Sequence, residues 1–180
     1  MTQQNNHLLQ HLKDIASLPL GAKQALYYAW LVKHAFECKV QSLQSLAVNH
    51  PKFVSKLLSA NFQQHECYRN SVEVIQLAIE CNDPWLEVKY VEGQFDANIG
   101  IGLDHAWNKI IDWTEGSEAV YYVDVTAELV LKQQNIADNN YIVFKEFEAP
   151  EMFKLLMQSK FYGTVFPTWF ANNVANIAND

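Results

Sequence analysis

Asn82-Asp83-Pro84-Trp85-Leu86-Glu87-Val88-Lys89-Tyr90-Val91 is the stretch on which the fold turns. Before Pro84 the apolar residues recur at helical spacing. After it Leu86, Val88 and Tyr90 alternate with Glu87, Lys89 and Val91, the period-two pattern of a strand. Asn82-Asp83-Pro84 stops the preceding helix, which spans about Glu66 to Cys81 with Tyr68, Val72, Ile75 and Ile79 on one stripe. Cys67 therefore falls in the first turn of that helix.

Working back, Gly21 to Ala35 carries Ala25, Tyr28, Leu31 and Val32 at helical spacing, and Pro51 sits where a helix beginning Lys52-Phe53 would want it. The first sixty residues read as a helical support. Working forward, Gly93 marks where the first strand weakens, and two more strands follow, about His105 to Trp113 and Ala119 to Val125. Thr114-Glu115-Gly116-Ser117-Glu118 joins them as a hairpin-length loop. Asn139 to Phe147 adds a fourth strand, Pro150 opens a last short helix, and the aromatic segment Phe161 to Phe170 is expected to pack back on the core before a polar tail. The expected class is α+β: a helical N-terminal half packed on an antiparallel sheet. One domain is expected over 1–180, with the support at about 7–60, the core at about 63–147 and the C-terminal helix and tail at 150–180.

The 180 residues, 49% hydrophobic and 13% aromatic, suffice for a core and argue against disorder. A net charge of -7, from 13 basic and 20 acidic residues, gives no electrostatic footprint for nucleic acid or an anionic membrane, so neither is expected as a partner. Three cysteines at 38, 67 and 81 make no disulfide framework and no zinc knuckle, which points to a reducing compartment. Met1 to His7 lacks the basic start and apolar run of a secretory signal, and no apolar run reaches the roughly 20 residues of a membrane span. The expected location is the cytoplasm, and no cofactor is implied.

Chemistry concentrates in Cys67, His105 and Asp124. A thiol needs a base to become a thiolate, and the imidazole needs an acceptor to hold its tautomer and stabilise its charged form. A helix N-terminus, with unpaired N–H groups and the positive end of the macrodipole, favours thiolate over thiol at Cys67. The same N–H groups can bind an oxyanion; the backbone N–H of Cys67 leads, with Gln63 or Gln64 as side-chain donors. Asp124 interrupts the apolar run Val120 to Val125, and an acid inside a buried strand must be paired or solvated. His105 is its obvious partner.

Each residue alone has a plainer reading: a buried thiol, a strand-end histidine bonded to a carbonyl, an aspartate bonded to a turn. Cys38 and Cys81 show that reading and are assigned to packing or surface. Register sets a condition on the trio. If Trp113 faces Ala119, Asp124 falls opposite Asn108, and His105 and Asp124 point to opposite faces. A bulge, or a turn one residue longer or shorter, restores a common face, so an irregularity is expected in this hairpin.

The strings Cys67-Tyr68-Arg69-Asn70, Tyr90-Val91-Glu92-Gly93, His105-Ala106-Trp107 and Val123-Asp124-Val125-Thr126 resemble, in order and spacing, the transglutaminase-like members of the papain-type cysteine enzymes. Many bacterial and phage proteins of unassigned role carry a similar order: Cys-x-x-Asn, Tyr-Val-Glu-Gly, His-Ala-Trp, Asp-Pro-Thr. The match covers about Gln63 to Ala127 and departs at Val125, where relatives usually have proline. Val-Asp-Val is also similar to arylamine N-acetyltransferases, but the arginine- and glycine-containing approach to their cysteine has no match here.

The resemblance implies a papain/transglutaminase-like core and acyl transfer on a protein, peptide or small amide substrate. Cys67 attacks the carbonyl, His105 moves the proton and Asp124 orients His105; water as acceptor makes a peptidase or deamidase, an amine a transglutaminase. Two other readings compete: an inactive binding module that keeps the fold, and a metal site on the same three residues, which lacks further soft ligands. Among neighbouring polar residues, Asn70 either reaches the cleft or faces solvent, with solvent favoured. His65 is assigned to the surface, Asp104 and Glu92 to a solvated role beside the cleft, and Trp107 to a wall of the site or the core.

Overall fold

A computed structural model describes residues 7–96, 100–159 and 163–175. The expected packing of Phe161 and Tyr162, and the polar tail beyond residue 175, lie outside these residues. The helical half comprises α1 (His7–Ala16), α2 (Ala22–His34) and α3 (Pro51–Ser59), the last opened by Pro51 at its first position, where a missing N–H costs nothing. The sequence reading missed β1 (Phe36–Cys38), three residues that pair antiparallel with a strand a hundred positions on. So short an element has no period to detect.

Helix α4 spans Cys67–Cys81 and ends at Asn82, whose φ of 50° is the left-handed conformation that asparagine tolerates. Val72 and Ile75 of its expected stripe are buried, whereas Ile79 is 61% exposed, and the last turn is buried instead through Cys81. Strands β2 (Leu86–Asp96), β3 (Leu103–Asp112), β4 (Ala119–Val123) and β5 (Asn140–Phe147) complete an antiparallel sheet ordered β1-β5-β2-β3-β4. Gly93 does not end β2. The strand runs through it with a bulge against β5 between Glu92 and Gly93.

The sheet curls. Just after β1, Val40 makes a parallel bridge to Tyr122 of β4, and Gln41 N–H donates to the Tyr122 carbonyl at 2.7 Å, so the two edge regions meet. Alternation then sorts side chains into two cores. One face of the sheet places Tyr90, Ala106, Ile110, Ile142 and Phe144 against the helices, and the inside of the curl holds Val91, Phe95, Trp107, Tyr141 and Val143 with Cys38 and Val40. Cys38 is thus a buried strand residue whose thiol burial pushes up to about 12. Helix α5 (Ala149–Ser159) and α6 (Phe166–Phe170) close the chain; Phe166 and Phe170 pack on Tyr27 and Trp30 of α2. Among the described residues no helix is long and apolar enough to cross a membrane.

Candidate active site

The hairpin register decides whether the trio assembles. Asp112, not Trp113, pairs with Ala119, and the ladder continues without interruption to Asn108 and Val123. The irregularity is a turn one residue longer than the simple pairing assumes. Continued by one step, this register sets Asp124 opposite Trp107, on the face that also carries His105. After Val123 the chain leaves the ladder, so the first half of β3, Leu103 to Trp107, is unpaired on that side and open to other elements.

His105 Nε2 and Asp124 Oδ2 lie 2.7 Å apart. Asp124 is fully buried and completely partnered: Oδ2 also accepts from the Tyr141 hydroxyl at 2.9 Å, and Oδ1 from the Ala127 N–H at 3.0 Å. The latter ties the carboxylate to the start of the helical turn Thr126–Val130. Burial alone would raise the acid, but the His105 charge and these donors outweigh it and hold the carboxyl below its ordinary value of 3.8. Burial also pushes the Tyr141 hydroxyl up, followed by the Asp124 charge, so Tyr141 stays a donor.

For His105, burial disfavours the cation, yet the Asp124 carboxylate and then Cys67 more than compensate, lifting the imidazole to about 10. The ring is cationic at neutral pH. Of its two partners Cys67 is the looser: its influence ranks below that of Asp124, and the aligned hydrogen bond of the ring goes to the carboxylate. With Nε2 committed to Asp124, Nδ1 is the nitrogen left for the sulfur. Phe95, with ring centres 5.2 Å apart, and Trp107, stacked at 6.0 Å, hold the imidazole plane.

Cys67 opens α4 partly exposed, and no side chain caps that helix. Its first N–H groups therefore stay available for an oxyanion. His65, just upstream and exposed, has φ of 64°, a strained conformation for a residue with a Cβ, and it turns the chain sharply into the helix.

Asn70 corrects the sequence reading. It neither faces solvent nor reaches the cleft but is 1% exposed, and its side chain ties three pieces of chain together. Its Oδ1 accepts from the Gln63 N–H at 3.0 Å, and Nδ2 donates to the Gln63 carbonyl at 2.8 Å and to Thr126 Oγ1 at 3.0 Å. The loop before Cys67 is thereby fixed to the turn after Asp124. Gln63 spends Nε2 on the Asn61 carbonyl at 2.9 Å, and with Gln64, Glu66, Arg69 and Glu73 it lines a polar cavity of about 490 Å³.

Trp107 is core, 1% exposed and edge-on to Tyr141 at 5.2 Å. It fits because Gly93, paired with His105 across β2 and β3, has no side chain: a Cβ there would stand 2.8 Å from the indole and 1.9 Å from the Ile142 carbonyl oxygen. Asp104 is exposed, as expected. Glu92 is not solvated but buried, because the Tyr90 hydroxyl and the Val165 and Phe166 N–H groups take the place of water around its carboxylate. Sequence reasoning also missed Tyr141, for which alternation along β5 was the only available signal. Among the described residues no group of three His, Cys, Asp or Glu side chains is arranged to hold a metal ion.

Comparison of the chain with protein-family models, curated proteins and solved structures gives no match. The site's geometry carries the functional reading alone.

Proposed function

We propose that this chain is a cysteine-dependent acyl-transfer enzyme of the transglutaminase-like, papain-type class, acting on an amide or peptide carbonyl through Cys67, His105 and Asp124. The supporting observation is the His105 Nε2 to Asp124 Oδ2 contact of 2.7 Å, made by a ring whose other nitrogen is left for a helix-opening thiol. A partly exposed thiol that opens a helix, beside an imidazole oriented by a buried carboxylate, supports the reading of a nucleophile with its acid–base partner.

Cys67 sulfur bonds to the carbonyl carbon, and the charge moves to the oxygen, facing the N–H groups of the first turn. His105 gives its proton to the leaving nitrogen as the C–N bond breaks, leaving a thioester. Neutral His105 then takes a proton from water or an amine as it attacks, and Cys67 leaves as thiolate.

The test is iodoacetamide alkylation read separately at each cysteine from pH 5 to 9, in wild type and His105→Ala. Fast labelling confined to Cys67 and lost in the variant is the expected result. Labelling of Cys67 that is slow and indifferent to His105 would point instead to a non-catalytic module.

A further inference from the structure

We infer that Tyr141 is a positioning residue of this same site, holding the Asp124 carboxylate in the orientation that presents Oδ2 to His105; this rests on the triad reading above. Tyr141 lies on β5, fully buried, on the face of the sheet that lines the inside of the curl. Its hydroxyl donates to Asp124 Oδ2 at 2.9 Å, and His105 Nε2 stands 2.7 Å from the same oxygen. A carboxylate oxygen has two lone-pair positions, so His105 and Tyr141 fill both. The other oxygen takes the Ala127 N–H at 3.0 Å. Turning the carboxylate would therefore break bonds on both oxygens at once.

The ring of Tyr141 bears on the imidazole as well. It packs against Phe95 at 4.9 Å and edge-on to Trp107 at 5.2 Å, the two rings that flank His105 at 5.2 and 6.0 Å. One side chain thus touches the acid through its hydroxyl and both walls of the base through its ring.

The plainer reading is that Asp124 only satisfies a buried phenol. Packing needs no hydroxyl on this strand: β5 fills its other buried aromatic positions with Phe144 and Phe147, and a phenylalanine at 141 would keep the contacts with Phe95 and Trp107. What the hydroxyl adds is a third donor on the carboxylate. The three come from three elements, His105 from β3, Tyr141 from β5 and Ala127 from the turn after the acid, and together they fix the plane of the carboxylate. With Nε2 held on Oδ2, Nδ1 is the ring nitrogen kept for Cys67.

Tyr141→Phe tests this in the full chain, with iodoacetamide labelling read at each cysteine at about pH 5 and pH 8. Labelling of Cys67 should slow by about tenfold at the lower pH, the scale of one hydrogen bond to a charged group, and by less at the higher, because a carboxylate with one donor fewer takes up its proton at a higher pH. The deficit should vanish when the same substitution is made in His105→Ala, since Tyr141 acts on the thiol only by way of that ring. Cys38 pairs with Tyr141 across β1 and β5 in the same core and reports its packing, so its labelling should stay as slow as in wild type. Fast, His105-dependent labelling of Cys67 that is equal in wild type and Tyr141→Phe would overturn the Tyr141 assignment alone. A deficit that is the same at both pH values and persists in His105→Ala, or one accompanied by faster labelling of Cys38, would overturn it too, because either marks a packing role. Slow labelling in wild type, unaffected by His105→Ala, would overturn the triad reading and this inference with it.

Discussion

Helix α4 carries a cysteine at each end, Cys67 and Cys81, and each end lies by a histidine bonded to aspartate. At the N-terminal end His105 gives one nitrogen to Asp124 and keeps the other for the thiol. At the C-terminal end His50 is fully buried, with Nδ1 on Asp83 at 2.9 Å and Nε2 beside Asp112 at 3.1 Å. Both of its nitrogens face carboxylates, although only Nδ1 makes an aligned hydrogen bond and Nε2 is buried without one. Asn49 at 2.7 Å and the Thr114 N–H at 2.8 Å add to Asp112, while Lys52 reaches the Cys81 carbonyl. This cluster braces α3, the α4–β2 turn and the end of β3. The two sites hold the same three residue types but differ in where they lie: one is at the positive end of α4 with a ring nitrogen turned from its carboxylate, and the other is at the opposite end with both ring nitrogens toward carboxylates.

The largest effect that can break this comparison is kinetic. Cys67 should alkylate about 100-fold faster than Cys81 at neutral pH, and His105→Ala should remove most of that advantage, the scale of a lost acid–base partner. His50→Ala should leave Cys67 labelling within about twofold, since it touches only the brace; parallel losses in both variants would show that α4 transmits fold damage, not chemistry.

Asp124→Asn comes next. Breaking a buried pair leaves a charge without its partner, so stability should fall by about 3 kcal/mol near pH 6 in denaturant unfolding. The pH dependence has a definite sign. His105 is raised from 6.5 to about 10, so its contribution is whole below 6.5 and fades as pH rises through about 10. Asp124 is lowered from 3.8, so its contribution is whole above that value and fades as pH falls through the lowered one. The wild-type advantage over the variant should accordingly be greatest between about pH 4 and 6.5 and shrink toward pH 10. An equal gap at pH 6 and pH 10 would break the ion-pair account. His50→Ala should cost about 2 kcal/mol, because Asp112 keeps two of its donors.

What the sequence showed of this arrangement was its local part. Periodicity placed Cys67 in the first turn of α4, the stop at Asn82 and the strands to within a few residues, since each is set by neighbours in the chain. The pairing of Asp124 with His105 depended on a single extra residue in the turn after Asp112, which hydrophobic alternation does not resolve. Asn70, Glu92 and Tyr141 were misread or missed because their partners arrive from far along the chain: Thr126 is 56 positions from Asn70, and Val165 is 73 from Glu92. Buried polar residues declare themselves in sequence only as exceptions; what satisfies them is a tertiary fact.

The smallest effects separate the two asparagines of α4. Asn82 serves through its backbone alone, holding φ of 50° at the helix end, so Asn82→Gly should change stability by less than about 0.5 kcal/mol, glycine adopting that conformation freely. Asn70 serves through its side chain. Asn70→Ala deletes three hydrogen bonds, but Gln63 is exposed and water can replace two of them, so the loss should be only about 1 kcal/mol. Its kinetic consequence should be the larger one. With the Gln63 loop untied from Thr126, the entry into α4 is held by the strained turn at His65 alone, and Cys67 labelling should fall several-fold while Cys81 labelling does not move. If Asn70→Ala instead slows both cysteines equally, or neither, the N-terminal end of α4 is no more specialised than the C-terminal end, and the contrast between the two histidine sites loses its structural basis.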